Sequence, residues 1–351
     1  SYWSGRQRFE YRYRILVCVT ILQALMNPIA SLVLIRMNGG TAMMRILGIV
    51  GVQVCICVPI IVFQFCKGKE FFSKEYWGYA LRIGIPIVPH YLSGIILNQG
   101  DRIMIDKMVG KTEVALYGLA YSIGMLVQLF ISGMNSALTP WMYSKIKKGD
   151  IRSMRKVLQL LSIVVVGIAV ALMLISPELV LIFGSPKYRE AVYVIPPVAA
   201  SVFFIFIYNI LSMPQFYYEK TQFLMAASMA AAGANVVLNF IFIRLFGYIA
   251  AGYTTLACYM LYSVGHYIVS KRILVNEGIQ ENLMNPGFLL ACSVFLIGAS
   301  IICNLIFPYR ILRYAILLAS AGLVFWKKEL LLKTICLLYT SPSPRDTERS
   351  R

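Results

Sequence analysis

Carboxylates are scarce in this chain: 15 Asp and Glu stand against 33 Lys and Arg in 351 residues, with 2 histidines. General acid–base chemistry needs titratable groups within hydrogen-bond reach of one substrate. The sequence offers no nucleophile–base pair, nucleotide-binding loop or metal-ligand spacing to support it. Nor do the 8 cysteines imply a disulfide framework. Cys18, Cys55, Cys57, Cys258, Cys292 and Cys303 lie in apolar stretches, where a thiol behaves as a small hydrophobe. Cys55 and Cys57 are two apart on a helix and face different directions. No cofactor or metal is implied, and the chain reads as a non-enzyme.

Long polar intervals are missing as well, except at the C-terminus. Ten apolar stretches occupy the rest: Ile15–Ile35, Ile46–Phe65, Tyr79–Leu97, Val114–Pro140, Val157–Ile175, Ala191–Met213, Phe223–Ile243, Tyr248–Ser270, Gly287–Phe307 and Ile311–Trp326. Hydrophobic residues make up 59% and charged residues 14%, and the mean hydropathy is +0.72, outside the range of a soluble domain. A helix needs roughly 20 apolar residues to cross the ~30 Å hydrocarbon layer. Only helices or closed barrels satisfy their backbone groups there. Barrel strands alternate polar and apolar residues, and Leu161–Ile175 does not. The fold class is therefore all-α, a polytopic transmembrane helix bundle.

A net charge of +18 would point to nucleic acid in a soluble protein. Here the charge follows the membrane instead, and no nucleic-acid partner is expected. With Ser1–Arg14 in the cytoplasm and sides alternating at each stretch, the cytoplasmic segments hold twice as many Lys and Arg as the opposite side. That is the positive-inside pattern. Tyr143–Lys156 carries most of it, with Lys145, Lys147, Lys148, Arg152, Arg155 and Lys156.

Both ends are unusual. The chain begins at Ser1, and Tyr2–Arg14 reads as an interhelical loop, so a truncated N-terminus is expected. Cys336–Asp346 resembles a reading-frame translation of a transposon-end sequencing adapter, which makes 336–351 a non-native tail. In between, 1–65 holds two spans, 66–78 is an interfacial connector with aromatics among charges, 79–273 forms a six-helix lobe, and 274–335 adds two helices. Pro28, Pro59, Pro86, Pro89, Pro196 and Pro197 fall inside the spans, where they kink helices. Ala226–Asn235 gives its helix a small-residue face suited to close packing.

Polar groups at membrane depth are the candidate site. No acid lies in the middle of a span. If the Pro86/Pro89 helix continues past Leu97, Asp101 and Arg102 enter the bundle as neighbouring opposite charges. An Arg fork suits phosphate, because it donates two parallel hydrogen bonds. An outer-loop ion pair is the simpler alternative. His90 titrates near neutral pH when unperturbed or serves as a hydrogen-bonded packing residue. His266 is a weaker candidate of the same kind. Asn98 precedes the charged pair by one turn. Gln128, Asn135, Asn209, Asn235 and Asn239 suit either sugar hydroxyls or interhelical bridges.

The run Leu97–Gly124, with Asp101, Arg102, Gly110, Tyr117, Ala120, Tyr121 and Ser122, resembles the polysaccharide-biosynthesis flippases of the multidrug/oligosaccharidyl-lipid/polysaccharide superfamily. Asn239–Tyr253 is similar to that family's Asn and Gly-rich helix junction, with Tyr248-Ile-Ala-Ala-Gly shifted from the usual spacing. Ser1–Arg14 is similar to the basic loop before its fifth span. The likeness runs over Ser1–Ile335. It implies two six-helix lobes plus two helices around a central cavity, with Ile15–Phe65 as helices five and six and the first four absent. It implies a bacterial or archaeal cytoplasmic (inner) membrane and a polyprenyl-pyrophosphate-linked oligosaccharide as substrate. Polysaccharide polymerase and glycosyltransferases would be partners. Arg102 would hold the pyrophosphate, with Asp101 fixing its rotamer. A cation-coupled multidrug exporter of the same superfamily would use membrane-embedded carboxylates. A membrane glycosyl-polymerase or acyltransferase would need long outer loops, and these are short.

Overall fold

The computed structural model describes residues 2–10, 12–37, 42–69 and 72–326. The adapter-like tail lies outside the described residues. Among those described, every regular element is helical: α1 (Tyr2–Phe9), α2 (Tyr13–Met37), α3 (Ala42–Gly68), α4 (Lys74–Met108), α5 (Lys111–Gly124), α6 (Leu126–Lys147), α7 (Ile151–Phe183), a 3-10 turn (Pro186–Val194), α8 (Ile195–Tyr217), α9 (Thr221–Phe246), α10 (Ile249–Asn276), α11 (Pro286–Ile306) and α12 (Arg310–Trp326). The protein is an all-α polytopic bundle. Seven helices are long and apolar enough to cross a membrane, or eight if α5 and α6 count as one bent span. Two of the ten apolar stretches, those in α10 and α12, are not among these. At 28 residues α10 is long enough, but its Tyr, Thr, Ser and His side chains dilute its apolarity. The described part of α12 has 17 residues.

The chain divides into two compact units, one ending at Arg82 and the other starting at Ile83, with the boundary inside α4. In the first unit α2 and α3 pair closely. Gly48 makes this possible: a Cβ there would sit 2.6 Å from the Ser31 backbone. Ser31 is buried at the crossing and donates its hydroxyl to Asn27 O (2.7 Å) and Arg45 O (3.3 Å). Small residues thus bring these backbones together, while Ile21, Leu25, Leu32, Val54 and Phe63 stay exposed, as lipid-facing side chains do.

In the second unit α8 is the central helix. Nearly all its side chains from Ile195 to Leu211 are buried, against α6, α7, α10 and α11. Pro196 and Pro197 do not kink it. They occupy its first turn, where a missing N–H has no helical partner to lose. Around it, α7 turns one stripe inward, Met154, Leu158, Leu161, Val165, Ala169, Leu172 and Met173, at the helical spacing that faces a core. The small-residue face of α9 is buried at Ser228, Ala231, Ala232 and Asn235, and α9 packs extensively on α10. Gly247 ends α9 with φ +73°, its N–H bonded to Ile243 O. A side chain there would be strained, so glycine permits the tight turn into α10.

The Val114–Pro140 stretch is broken. α5 and α6 meet at Met125 with a 40° bend. A Cβ at Gly124 would lie 2.7 Å from Val198 Cγ1 on α8, so glycine lets the broken point press against the central helix.

Polar contacts fix the helix ends. The Asp150 side chain caps α7 by accepting from the Ser153 N–H and also accepts from Lys145 Nζ at 2.6 Å. That lysine holds the Asp150 carboxyl below the usual range. On the same side, Arg152 and Arg155 at the start of α7 reach Glu281, between α10 and α11, at 3.4 Å each. At the other end of α7, Glu178 accepts two hydrogen bonds of 2.8 Å from Arg313 of α12.

Arg313 is 3% exposed and also donates to Leu174 O, so its loss leaves Glu178 without its cation. Arg313→Ala should destabilise the protein by about 3 kcal/mol, read as a lower melting temperature in detergent. An unchanged melt would mean that α12 is held elsewhere. In a variant without the native cysteines, Lys148→Cys, at an exposed position of the basic run, should react with impermeant thiol reagents only after the membrane is opened to give them access to the cytoplasmic side. Labelling of intact cells would reverse the orientation.

Candidate substrate-binding site

The site begins with the length of α4. At 35 residues it rises about 52 Å and continues past Leu97 to Met108. Ser93, Leu97, Asp101 and Ile105 form its buried stripe, four residues apart and so on one face. Asp101 is therefore inside the bundle and fully buried. The condition read from the sequence, that this helix continue past Leu97, is met for Asp101: the hydropathy of Tyr79–Leu97 falls off one turn before the carboxylate, but the helix does not stop there.

A buried carboxylate is tolerated only when its oxygens are hydrogen-bonded. Asp101 Oδ2 accepts from Tyr117 Oη of α5 (2.5 Å) and Thr255 Oγ1 of α10 (2.7 Å). Its Oδ1 accepts from Asn239 Nδ2 of α9 at 2.6 Å. Asn239 in turn contacts Asn235 Oδ1 (3.2 Å) and accepts from Thr254. Four helices thus meet at one carboxylate through neutral donors. The spacing of Asn235 and Asn239, four apart on α9, is the sequence signal that marks them as one unit. Tyr117 and Thr255 carry no such signal outside the tertiary structure.

Asp101 does not fix the rotamer of Arg102. Consecutive helix residues point in different directions. Arg102 instead donates Nη1 to Gln99 Oε1 at 3.2 Å and lies over the Tyr121 ring at 5.3 Å. Its Nε is buried with no hydrogen-bond partner, and no carboxylate among the described residues forms an ion pair with it. The guanidinium is held by an amide and an aromatic face, with its charge left uncancelled.

One turn back, Asn98 Oδ1 accepts from Tyr121 Oη (2.7 Å) and Tyr259 Oη (3.2 Å), and its Nδ2 donates to Gly94 O. Asn98 lines a cavity of about 470 Å³ between α4, α8 and α10. His90 and Asn209 line it too, so the structure brings together three residues singled out in the sequence. Tyr208, Tyr259 and Tyr262 complete its aromatic wall, and Gln99 and Ser212 add polar groups. No Lys, Arg, Asp or Glu is among the lining residues. The His90 Nδ1 is 3.0 Å from both Ser228 Oγ and Tyr262 Oη, while Tyr208 stacks on Tyr259 with centroids 6.3 Å apart. His266 is fully buried behind this wall, 2.8 Å from Gln215. The tyrosines follow from the i, i+3 spacing of Tyr259 and Tyr262 on α10, which a search confined to charged groups passes over.

Gln128 and Asn135 lie elsewhere. Both are on α6, half-buried, and neither lines the cavity. Among the described residues, no group of three His, Cys, Asp or Glu side chains is placed to hold a metal ion.

The family described as "Polysaccharide biosynthesis protein" matches residues 7–147, and the MatE family matches residues 86–241. Protein 1 of the Lsg locus of Haemophilus influenzae is 28% identical over 172 residues, which cover 46% of this chain and 41% of that protein. A protein of the same organism, named only as an uncharacterized membrane protein, is 29% identical over 191 residues, covering 51% of this chain and 46% of its own length. The chain thus spans less than half the length of these curated relatives. No solved structure matches it. The two family matches overlap on the helices that carry Asp101, Arg102 and Asn98, and they place the chain in the multidrug/oligosaccharidyl-lipid/polysaccharide superfamily, of the polysaccharide-biosynthesis type.

Proposed function

We propose that the complete protein carries a polyprenyl-pyrophosphate-linked oligosaccharide, a repeat unit of O-antigen, capsule or exopolysaccharide, from the inner to the outer leaflet of a cytoplasmic membrane. The chain acts as a transporter rather than an enzyme, and glycosyltransferases and a polymerase stand on either side of its step. The observation that carries this reading is the uncharged cavity walled by Tyr208, Tyr259 and Tyr262 and by the amides of Asn98, Gln99 and Asn209. A sugar ring presents apolar C–H faces and hydroxyl edges. Tyrosine rings match the faces and add a polar tip, and amides both donate and accept at the edges. The volume of about 470 Å³ falls within the usual range of small-molecule sites. Arg102, one turn beyond Asn98, keeps an uncancelled charge and an unused N–H, which suits a phosphate oxygen.

A second reading, the cation-coupled exporter, gains from Asp101. The argument against it was the lack of a membrane-embedded carboxylate, and that lack does not hold. Asp101 is buried among Tyr117, Thr255, Asn239 and Asn235, an oxygen-rich setting in which a carboxylate exchanges a proton or a small cation. The two readings are compatible if ion movement drives the glycan.

In the complete protein, Arg102→Ala should abolish surface-glycan export while membrane insertion stays intact; normal export would take Arg102 out of the mechanism. Replacing Tyr208 and Asn209 with alanine should lower export by about thirtyfold, as expected when two contacts worth about 1 kcal/mol each are removed. Full activity in that variant would move the sugar site away from this cavity. Asp101→Asn separates the readings. Loss of dependence on a proton or sodium gradient supports coupling through Asp101, and an unaltered dependence leaves the carboxylate a structural role.

A further inference from the structure

A pair of recesses lies apart from the tyrosine cavity and shares no lining residue with it. An apolar crevice of about 260 Å³ separates α10 from α11. Phe204 and Ile207 of α8 form its floor, Val264 and Tyr267 one wall, and Leu290 and Ser293 the other. Val264 and Leu290, at its lips, are 55% and 66% exposed, so the crevice opens to the surface where lipid chains lie. Tyr267 also lines the adjoining recess of about 440 Å³, whose walls include Lys271 and Arg272. The two spaces therefore meet at one side chain, one apolar and one cationic.

The positive charge there is not cancelled. Glu281, between α10 and α11, is taken by Arg152 and Arg155. Neither Lys271 nor Arg272 forms an ion pair or hydrogen bond among the described residues, and both are exposed. Pro286, which lines the crevice, is the first residue of α11, so the positive end of that 21-residue helix faces the same region. The chain order Ser263, Tyr267, Lys271 sets apolar slot, aromatic junction and cation on successive turns of one face of α10. Tyrosine at such a junction suits the level of lipid headgroups.

We propose that this pair of recesses is a binding site for an anionic phospholipid of the cytoplasmic leaflet. One acyl chain fills the crevice between α10 and α11, and the headgroup phosphate lies against Lys271 and Arg272. Charge complementarity selects an anionic over a zwitterionic lipid, and the crevice distinguishes a held lipid from the mobile lipid at any helix surface. The site is separate from the tyrosine cavity, with which neither recess shares a lining residue.

Native mass spectrometry of the purified protein, after exchange into mixed phosphatidylglycerol and phosphatidylcholine, tests it. Phosphatidylglycerol should be retained preferentially, and its retention should fall about fivefold for each cation removed in Lys271→Ala and Arg272→Ala. Ser263→Trp, which fills the slot, should release the lipid while leaving both cations in place. The two exposed substitutions do not disturb packing, so they keep the test decisive even if the tryptophan variant misfolds. Equal retention of the two lipids, indifference to the cation variants, or displacement of phosphatidylglycerol by polyprenyl phosphate would each overturn the assignment.

Discussion

A single carboxylate removed from water organises the second unit. Among the described residues no ion pair holds Asp101, so its burial is tolerated only while Tyr117, Thr255 and Asn239 all donate to it. Those donors come from α5, α10 and α9, and Asp101 itself from α4. The positions of four helices are therefore set against one another by one requirement, that the same two oxygens stay satisfied. Apolar packing alone would not do this inside a bilayer, where lipid tails compete equally for side-chain contact.

The cavity inherits that order. Asn98 sits one turn before Asp101 on α4, and its amide oxygen receives Tyr121 of α5 and Tyr259 of α10, neighbours of the donors that hold Asp101. Its oxygen is therefore engaged before any ligand arrives. The polar capacity left for a substrate rests more with Gln99, Asn209 and Ser212, which share the cavity wall. The cavity wall and the buried carboxylate belong to one framework, with Arg102 on an adjacent face of the same helix.

The class of fold was legible in the sequence because hydrophobic length and charge asymmetry act along the chain. Spans such as Val157–Ile175 announce themselves in any window, and Pro86 and Pro89 fell inside α4 as read. The Asp101 cluster was only half legible. Apolar counting ended the helix at Leu97, because hydropathy penalises a carboxylate without knowing that three hydroxyl and amide groups will meet it. The bend at Met125 was hidden in the same way: Val114–Pro140 is evenly apolar, and only the approach of Val198 reveals why Gly124 stands there. Pro196 and Pro197 looked like kinks because the 3-10 turn before them carries apolar residues of its own. Gln128 and Asn135 looked like cavity amides, and nothing along α6 could tell that they would miss the cavity.

The 40° break between α5 and α6 has a mechanical consequence. It divides a would-be rod into two lever arms with separate anchors. The arm before Met125 is tied through Tyr117 and Tyr121 to the groups on α4, whereas the arm after it ends at the basic turn closed by Lys145 and Asp150. The two arms are therefore anchored by different chemistry, one by tyrosine hydroxyls and the other by an ion pair, on either side of the joint at Met125.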